Sequence, residues 1–255
     1  MIRPQRWTRS VARGTFEDMN AFDRNPAAAF PSSAATAERV TAFLRAVYGW
    51  MCAGLAVTGV VAYLVASSPA LMQTLVGNFP LVIGLFIGQL ALVFFLSARA
   101  DRLAPGTATA VFLGYAALTG VTLSVLVLAY TGASIATTFM VTAGMFGGLA
   151  FYGTTTSRSL AGVGQFMFMG LIGLVLASIV GIFWHSDALQ FLISVVGVIV
   201  FTGLTAWDAQ RLKQLALEIP ADRIGSYAIV GALSLYLDFL NLFLFLLRFL
   251  GDRRQ

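Results

Sequence analysis

The sequence predicts an all-α polytopic membrane protein with seven transmembrane helices. Three observations carry this. Of 255 residues, 58% are hydrophobic and only 11% charged, with a mean hydropathy of +0.85, whereas a soluble domain carries about 25% charged residues. The apolar residues come in runs of about 20, the length that crosses ~30 Å of hydrocarbon at 1.5 Å per residue. These runs are too long, and alternate too little, for the strands of a β-barrel.

Residues 1–40 are of a different composition, rich in Arg, Pro, Ser and Ala with mixed charges and no apolar run. They lack the apolar core of a secretory signal, so a disordered cytoplasmic arm that is not cleaved is expected. Residues 41–255 then form one transmembrane domain. Its spans fall at 45–67, 79–98, 107–130, 134–153, 162–184, 188–212 and 226–250. The connectors 131–133 and 185–187 are short, which makes the helices they join antiparallel neighbours.

Lysine and arginine set the orientation. Arg39 and Arg45 flank the first span, Arg99 and Arg102 lie between the second and third, Arg158 between the fourth and fifth, and Arg211, Lys213 and Arg223 between the sixth and seventh. The three alternate connectors carry none, so the N-terminus is expected in the cytoplasm. The tail "RFLGDRRQ" runs against this pattern. Seven crossings place Arg248, Arg253 and Arg254 on the far side, and the alternative is a re-entrant last segment. The same distribution removes nucleic acid as a partner, because the net charge of +5 resides in the arm and in topological connectors. The small-xxx-small pairs Gly84/Gly88 and Gly144/Gly148 suggest close helix packing within the chain.

Few residues offer chemistry. There is no phosphate-binding G-x-x-x-x-G-K-[ST] and no H-E-x-x-H. The one histidine, His185, sits in a short connector far from the one cysteine, Cys52, so neither a histidine metal cage nor a disulfide is expected. Cys52 reads as a small buried hydrophobe. No enzyme is expected, and the paired "YD" and "GxGD" motifs of an intramembrane aspartyl protease are absent.

The strongest signal is a pair of aspartates. Asp208 lies in "GLTAWDAQRLK" at the end of the sixth span, and Asp238 near the middle of the seventh. An ionisable residue in a span costs several kcal/mol unless it faces the bundle interior or finds a partner. Gly231, Ser234, Asp238, Asn241, Phe245 and Arg248 recur at steps of 3 and 4, which puts them on one stripe of the last helix. A small, polar stripe on an otherwise apolar helix should face inward. Asp208 is expected to meet it from the cytoplasmic side, because the sixth helix continues past this residue into "AQRLKQL". Two carboxylates that approach closely cannot both ionise cheaply, so the pair is suited to share a proton or to hold a hard cation such as Ca²⁺. The alternative is that each aspartate makes only structural hydrogen bonds.

The quoted segment 203–213, followed by "GALSLYLDFLNLFLFLLRFLG" (231–251), resembles the closing signature of the Bax inhibitor-1 (transmembrane Bax inhibitor motif) family. Further matches are "VYGWMCAGLAVTGVVAY" (47–63), "ALTGVTLS" (117–124) and "TAGMFGGLAFYGTTTSRSLAG" (142–162). The resemblance covers about residues 40–252 and is nearest to the bacterial inner-membrane branch. It implies a seven-helix fold with the last helix central in the bundle. It also implies a pH-sensitive Ca²⁺ leak governed by two aspartates, here Asp208 and Asp238, with Ser234 and Asn241 beside them. An arginine latch onto the first aspartate is implied too, at Arg102 or Arg99. The family's tyrosine before that aspartate is Trp207 here. Some bacterial relatives are associated with membrane-bound AAA proteases, which offers a second function, an interaction protein whose arm engages the protease. The partners expected are thus the lipid bilayer, Ca²⁺ or protons, and alternatively such a protease, in the bacterial inner membrane.

Overall fold

The computed structural model describes residues 33–99, 102–184, 186–220, 223–252 and 254. Residues 1–32 of the arm, and His185 and Arg253, lie outside them. Eight helices and no strand occur among the described residues: α1 (Ser33–Ala66), α2 (Pro69–Gly77), α3 (Phe79–Ala98), α4 (Pro105–Ala129), α5 (Gly132–Thr155), α6 (Ala161–Phe183), α7 (Asp187–Glu218) and α8 (Ile224–Leu250). All but α2 are long and apolar enough to cross a membrane. Within residues 39–255, α1 and α3 to α8 match the seven expected spans to within a few residues at most ends.

Two ends differ more. Helix α1 begins at Ser33, so residues 33–40, assigned above to the arm, are helical. Helix α7 runs to Glu218, beyond the apolar run that ends near 212, because Ala206, Ala209, Leu212 and Ala216 keep one side buried while Arg211 faces out. Helix α2 was not expected. Pro69 opens it at a position where proline's missing N–H is no loss, and Met72 and Leu75 bury its inner side. Its successor α3 is capped by Asn78, whose side chain accepts from Leu81 N–H at 3.1 Å.

The centre of the bundle is α8. Two thirds (67%) of its most apolar stretch is buried, against at most 39% in any other span. It packs on α4, α5 and α7 and touches α3, and its Ala228–Leu247 side meets Phe43, Val47 and Met51 of α1 in the main core. Helix α6 packs outside, on α7. Aromatic edges tighten this core: Tyr236 meets Phe112 and Tyr115 of α4, and Phe239 meets Phe139 and Phe146 of α5. Tyr236 also closes a buried relay. The Thr58 hydroxyl donates to the Ala116 carbonyl (2.9 Å) and therefore accepts from Tyr236 O–H (2.6 Å).

Hydrogen bonds at both ends of α8 fix its course. At its start Ser226 Oγ donates to the Leu103 carbonyl (2.7 Å), in the connector before α4. Past its end, Thr131 N donates to Asp252 O (3.2 Å) and Arg254 N to Ala129 O (3.0 Å), in the connector after α4. So α8 is an unbroken helix parallel to α4 and traverses the bundle once, rather than turning back. The basic connectors gather at the end where α8 begins. There Lys213 donates to the last-turn carbonyl Thr154 O (2.6 Å), and Arg39 donates to Ile219 O. Cations on carbonyls left open at helix C-termini are favourable by both hydrogen bond and dipole.

Two expectations are corrected. Cys52 is exposed on α1 rather than buried: in a bilayer the outward face is apolar too, so hydrophobicity alone does not place a residue inside. Gly84, Gly88, Gly144 and Gly148 have no neighbour within 4 Å of where a Cβ would lie, so these pairs are not helix contacts among the described residues. Close approach occurs instead at Gly153 of α5. A Cβ there would meet the Ala206 carbonyl of α7 directly and lie 3.1 Å from Ala209 Cβ.

Candidate functional site

The site lies on the seam where α7 and α8 run antiparallel. Residues 190, 197 and 208 on α7 lie nearly in line, as do 234, 238, 241, 245 and 248 on α8, because 7, 11 and 18 residues are close to whole helical turns. The two rows meet in opposite order. Ser234 donates to Asp208 Oδ2. Further along, the Phe245 ring fills the space over Gly197, 2.7 Å from where a Cβ would stand, and stacks on Phe201 (5.9 Å, 27°). At the far end Arg248 reaches Gln190 Oε1 (3.4 Å). Any side chain at 197 would collide with the ring, so glycine is what lets the seam close.

Asp208 and Asp238 are 8% and 6% exposed, and they are close enough to interact electrostatically. Their surroundings differ. Asp208 has the Ser234 hydroxyl and the charge of Arg211. Asp238 Oδ2 is buried with no hydrogen-bond partner among the described residues. An unpaired buried polar atom costs about 1–3 kcal/mol, more when charged, and no side chain or backbone group among the described residues satisfies this oxygen. Asn241, placed with the site by sequence, turns its amide back to Leu237 O (2.8 Å) on its own helix.

The other expected residues are distributed as follows. Ser234 joins the two helices as the donor to Asp208. Arg99 lies over the Phe95 ring at 5.3 Å, and Arg102 is exposed at the connector after α3. The cation whose charge acts on Asp208 is Arg211, one turn on, which stands over the Trp207 ring at 5.5 Å. Trp207 thus replaces a hydroxyl at the site's edge with a platform for that guanidinium. No group of three or more His, Cys, Asp or Glu gathers for a metal among the described residues. A cation between Asp208 and Asp238 would complete its shell with the Ser234 hydroxyl, carbonyls and water.

Three features of the site escaped the sequence. Gln210 ties the α5–α6 connector to α7, accepting from Leu160 N–H (2.7 Å) and donating to Arg158 O (2.8 Å). The Phe245–Gly197–Phe201 closure needs two helices in register, which no single-helix period displays. Beyond it opens a cavity of about 440 Å³ of mixed character, lined by Ser186, Asp187, Gln190, Ser194 and Arg248 together with the rings of Phe191 and Phe249. The only signal for it was Arg248 on the polar stripe.

Seven spanning helices, the last of them buried at the centre of the other six, with two buried aspartates on its seam with α7, define a polytopic membrane protein with an ionisable core. The chain belongs to the Bax inhibitor-1 family: the family model described as "Inhibitor of apoptosis-promoting Bax1" matches residues 40–255. Among its relatives is the inner membrane protein YbhL of Escherichia coli K12, 51% identical over 215 residues, which cover 83% of this chain and 92% of YbhL. An uncharacterized protein of Caulobacter vibrioides is 41% identical over 251 residues, 93% of this chain and all of that protein. One of Borreliella burgdorferi is 43% identical over 215 residues, 84% of this chain and 93% of its own.

Proposed function

We propose that this chain is a pH-sensitive cation leak pathway of the bacterial inner membrane, with Ca²⁺ as the ion carried. In this proposal Asp208 and Asp238 act as one site that holds either protons or the cation. The observation that carries it is the buried Asp238 Oδ2 without a partner, beside a second carboxylate that already has one. Hydrogen bonds from the described residues leave that oxygen unsatisfied, and a hard cation, with its water, or a proton would satisfy it. Two carboxylates and a hydroxyl are a sparse set for an ion that takes 6–8 oxygens. Water must supply the rest, which favours passage over storage.

The seam supplies the remaining parts. Phe245 on Gly197 separates the aspartates from the cavity at Arg248 and would be the resting barrier. Arg211 competes with a cation for Asp208, and the latch implied for Arg102 or Arg99 would act at the same carboxylate. The N-terminus is cytoplasmic in this proposal, because the lysine and arginine connectors share one end of the bundle. The experiment is Ca²⁺ entry into dye-loaded liposomes holding the full-length protein, measured from pH 5 to 8. Flux that varies with pH, with the variation lost in Asp208→Asn and in Asp238→Asn, supports the proposal. Flux and pH profile unchanged in both variants would sink it.

A further inference from the structure

A second feature, independent of the ion pathway, lies on the opposite side of α8. A groove runs between α1 and α5 with α8 as its floor. It consists of a cavity of about 420 Å³ and another of about 570 Å³, which share Leu55, Phe139 and Phe239. Their walls reach from Gly132 to Thr154 on α5, ~33 Å of helix rise, the full depth of a bilayer's hydrocarbon. The lining is almost wholly apolar, so water finds few partners there. At one end of the groove stands Arg254.

Arg254 is held there by design of the fold. Three hydrogen bonds of the tail's backbone, Thr131 N to Asp252 O, Asp252 N to Ser134 Oγ (3.0 Å) and Arg254 N to Ala129 O, hold Asp252 and Arg254 at the turn between α4 and α5. This is the end of the bundle whose connectors carry no lysine or arginine, where a basic tail runs against the charge rule. A guanidinium held at the headgroup end of an apolar, laterally open slot matches one kind of molecule: an acyl chain below and an anionic phosphate above.

We infer that the α1–α5 groove is a binding site for an anionic phospholipid, with an acyl chain along Leu55, Phe139 and Phe243 and the phosphate on Arg254. It gives the misplaced basic tail a purpose. The lipid would be bound on the leaflet opposite the basic connectors.

The test uses the purified full-length chain, with retention of the first bound lipid read by native mass spectrometry. Phosphatidylglycerol and phosphatidylcholine of equal chain length are titrated separately. One charge contact is worth about fivefold in retention, so wild type should hold phosphatidylglycerol about fivefold better. Arg254→Gln, at the chain's end and outside the core, should abolish that preference. Gly59→Leu should weaken both lipids, since position 59 lines the groove and a Cβ there has open space. Thermal unfolding of both variants verifies that the bundle is intact. Equal retention of the two lipids by wild type, or a preference that survives Arg254→Gln, overturns the inference. A dimer of this chain that Gly59→Leu disperses would also overturn it, by giving the groove to a second copy.

Discussion

Replacing Gly153 with alanine should cost far more than the same change one and a half turns earlier, at Gly148. At 153 a methyl group would stand against the Ala206 carbonyl, 3.0 Å from its carbon and 3.1 Å from Ala209 Cβ, where ordinary contact is 3.4–4 Å. Both obstacles belong to rigid helix rather than to a flexible side chain, so α5 and α7 must separate by at least a few tenths of an ångström. Overpacking of this kind costs about 1–3 kcal/mol, partly offset by the ~0.5–1 kcal/mol that alanine gains over glycine within a helix. Taking the upper half of the range for backbone obstacles leaves about 1–2 kcal/mol, or roughly 2–8 °C in Tm at 2–4 °C per kcal/mol. At 148 the Cβ meets nothing, so Gly148→Ala should leave Tm unchanged or raise it by up to about 4 °C. The assay is thermal unfolding of the detergent-solubilised protein, followed by circular dichroism. Equal Tm values for the two variants would refute the claim that α5 and α7 touch backbone to backbone at Gly153. Because Ala206 and Ala209 flank Asp208, the same contact sets where that carboxylate stands on the seam.

Three further outcomes are expected. Phe245→Ala removes the ring over Gly197, and at a resting pH should raise Ca²⁺ leak in liposomes tenfold or more, a barrier change of about 1.4 kcal/mol; an unchanged leak in folded protein would remove Phe245 as the barrier. Tyr236→Phe should lower stability by about 1 kcal/mol in thermal unfolding, because it removes the phenol hydroxyl that bonds Thr58 and Thr119 while Thr58 stays bonded to Ala116 and Thr119 to Tyr115; an unchanged Tm would remove this relay as a support of the core. Deleting residues 1–32 should leave Ca²⁺ flux intact; if flux survives while co-purification of a membrane AAA protease is lost, the arm serves that partner instead.

Much of this molecule was legible in its sequence because a bilayer imposes one solvent and one length. The spans and the antiparallel hairpins follow from apolar run length and helical period alone. Of the stripe expected to face inward, Gly231 and Asp238 are buried, whereas Ser234, Asn241 and Phe245 are half-buried and Arg248 is exposed, because apolar neighbours bury α8 on nearly every side. The continuation of α7 past Asp208 was visible in "AQRLKQL", although the helix runs on to Glu218, beyond the apolar run. Other features turn on which of several equivalent faces meets which neighbour. Gly144 and Gly148 carry the spacing of a packing motif yet face away, while Gly153 and Gly197, with no such spacing, sit at the true contacts. Cys52 was misplaced for the same reason, since apolar residues line both sides of a spanning helix. Helix α2 hid in a connector because nine residues with one proline produce no periodic signal. Arg211 was read as a topological charge, and only the fold of α7 over Trp207 shows it beside Asp208.

The central claim is that Asp208 and Asp238 work as a single site, and a double-mutant cycle on Ca²⁺ flux tests it most directly. Two groups in one site are non-additive, whereas independent groups add in free energy. The full-length protein, Asp208→Asn, Asp238→Asn and the double variant are reconstituted at equal density and measured across the same pH range. Either single change should lose nearly all of the pH-dependent flux, and the double variant should lose no more. Losses that multiply between the two single variants, or a single variant that keeps the wild-type profile, would contradict it.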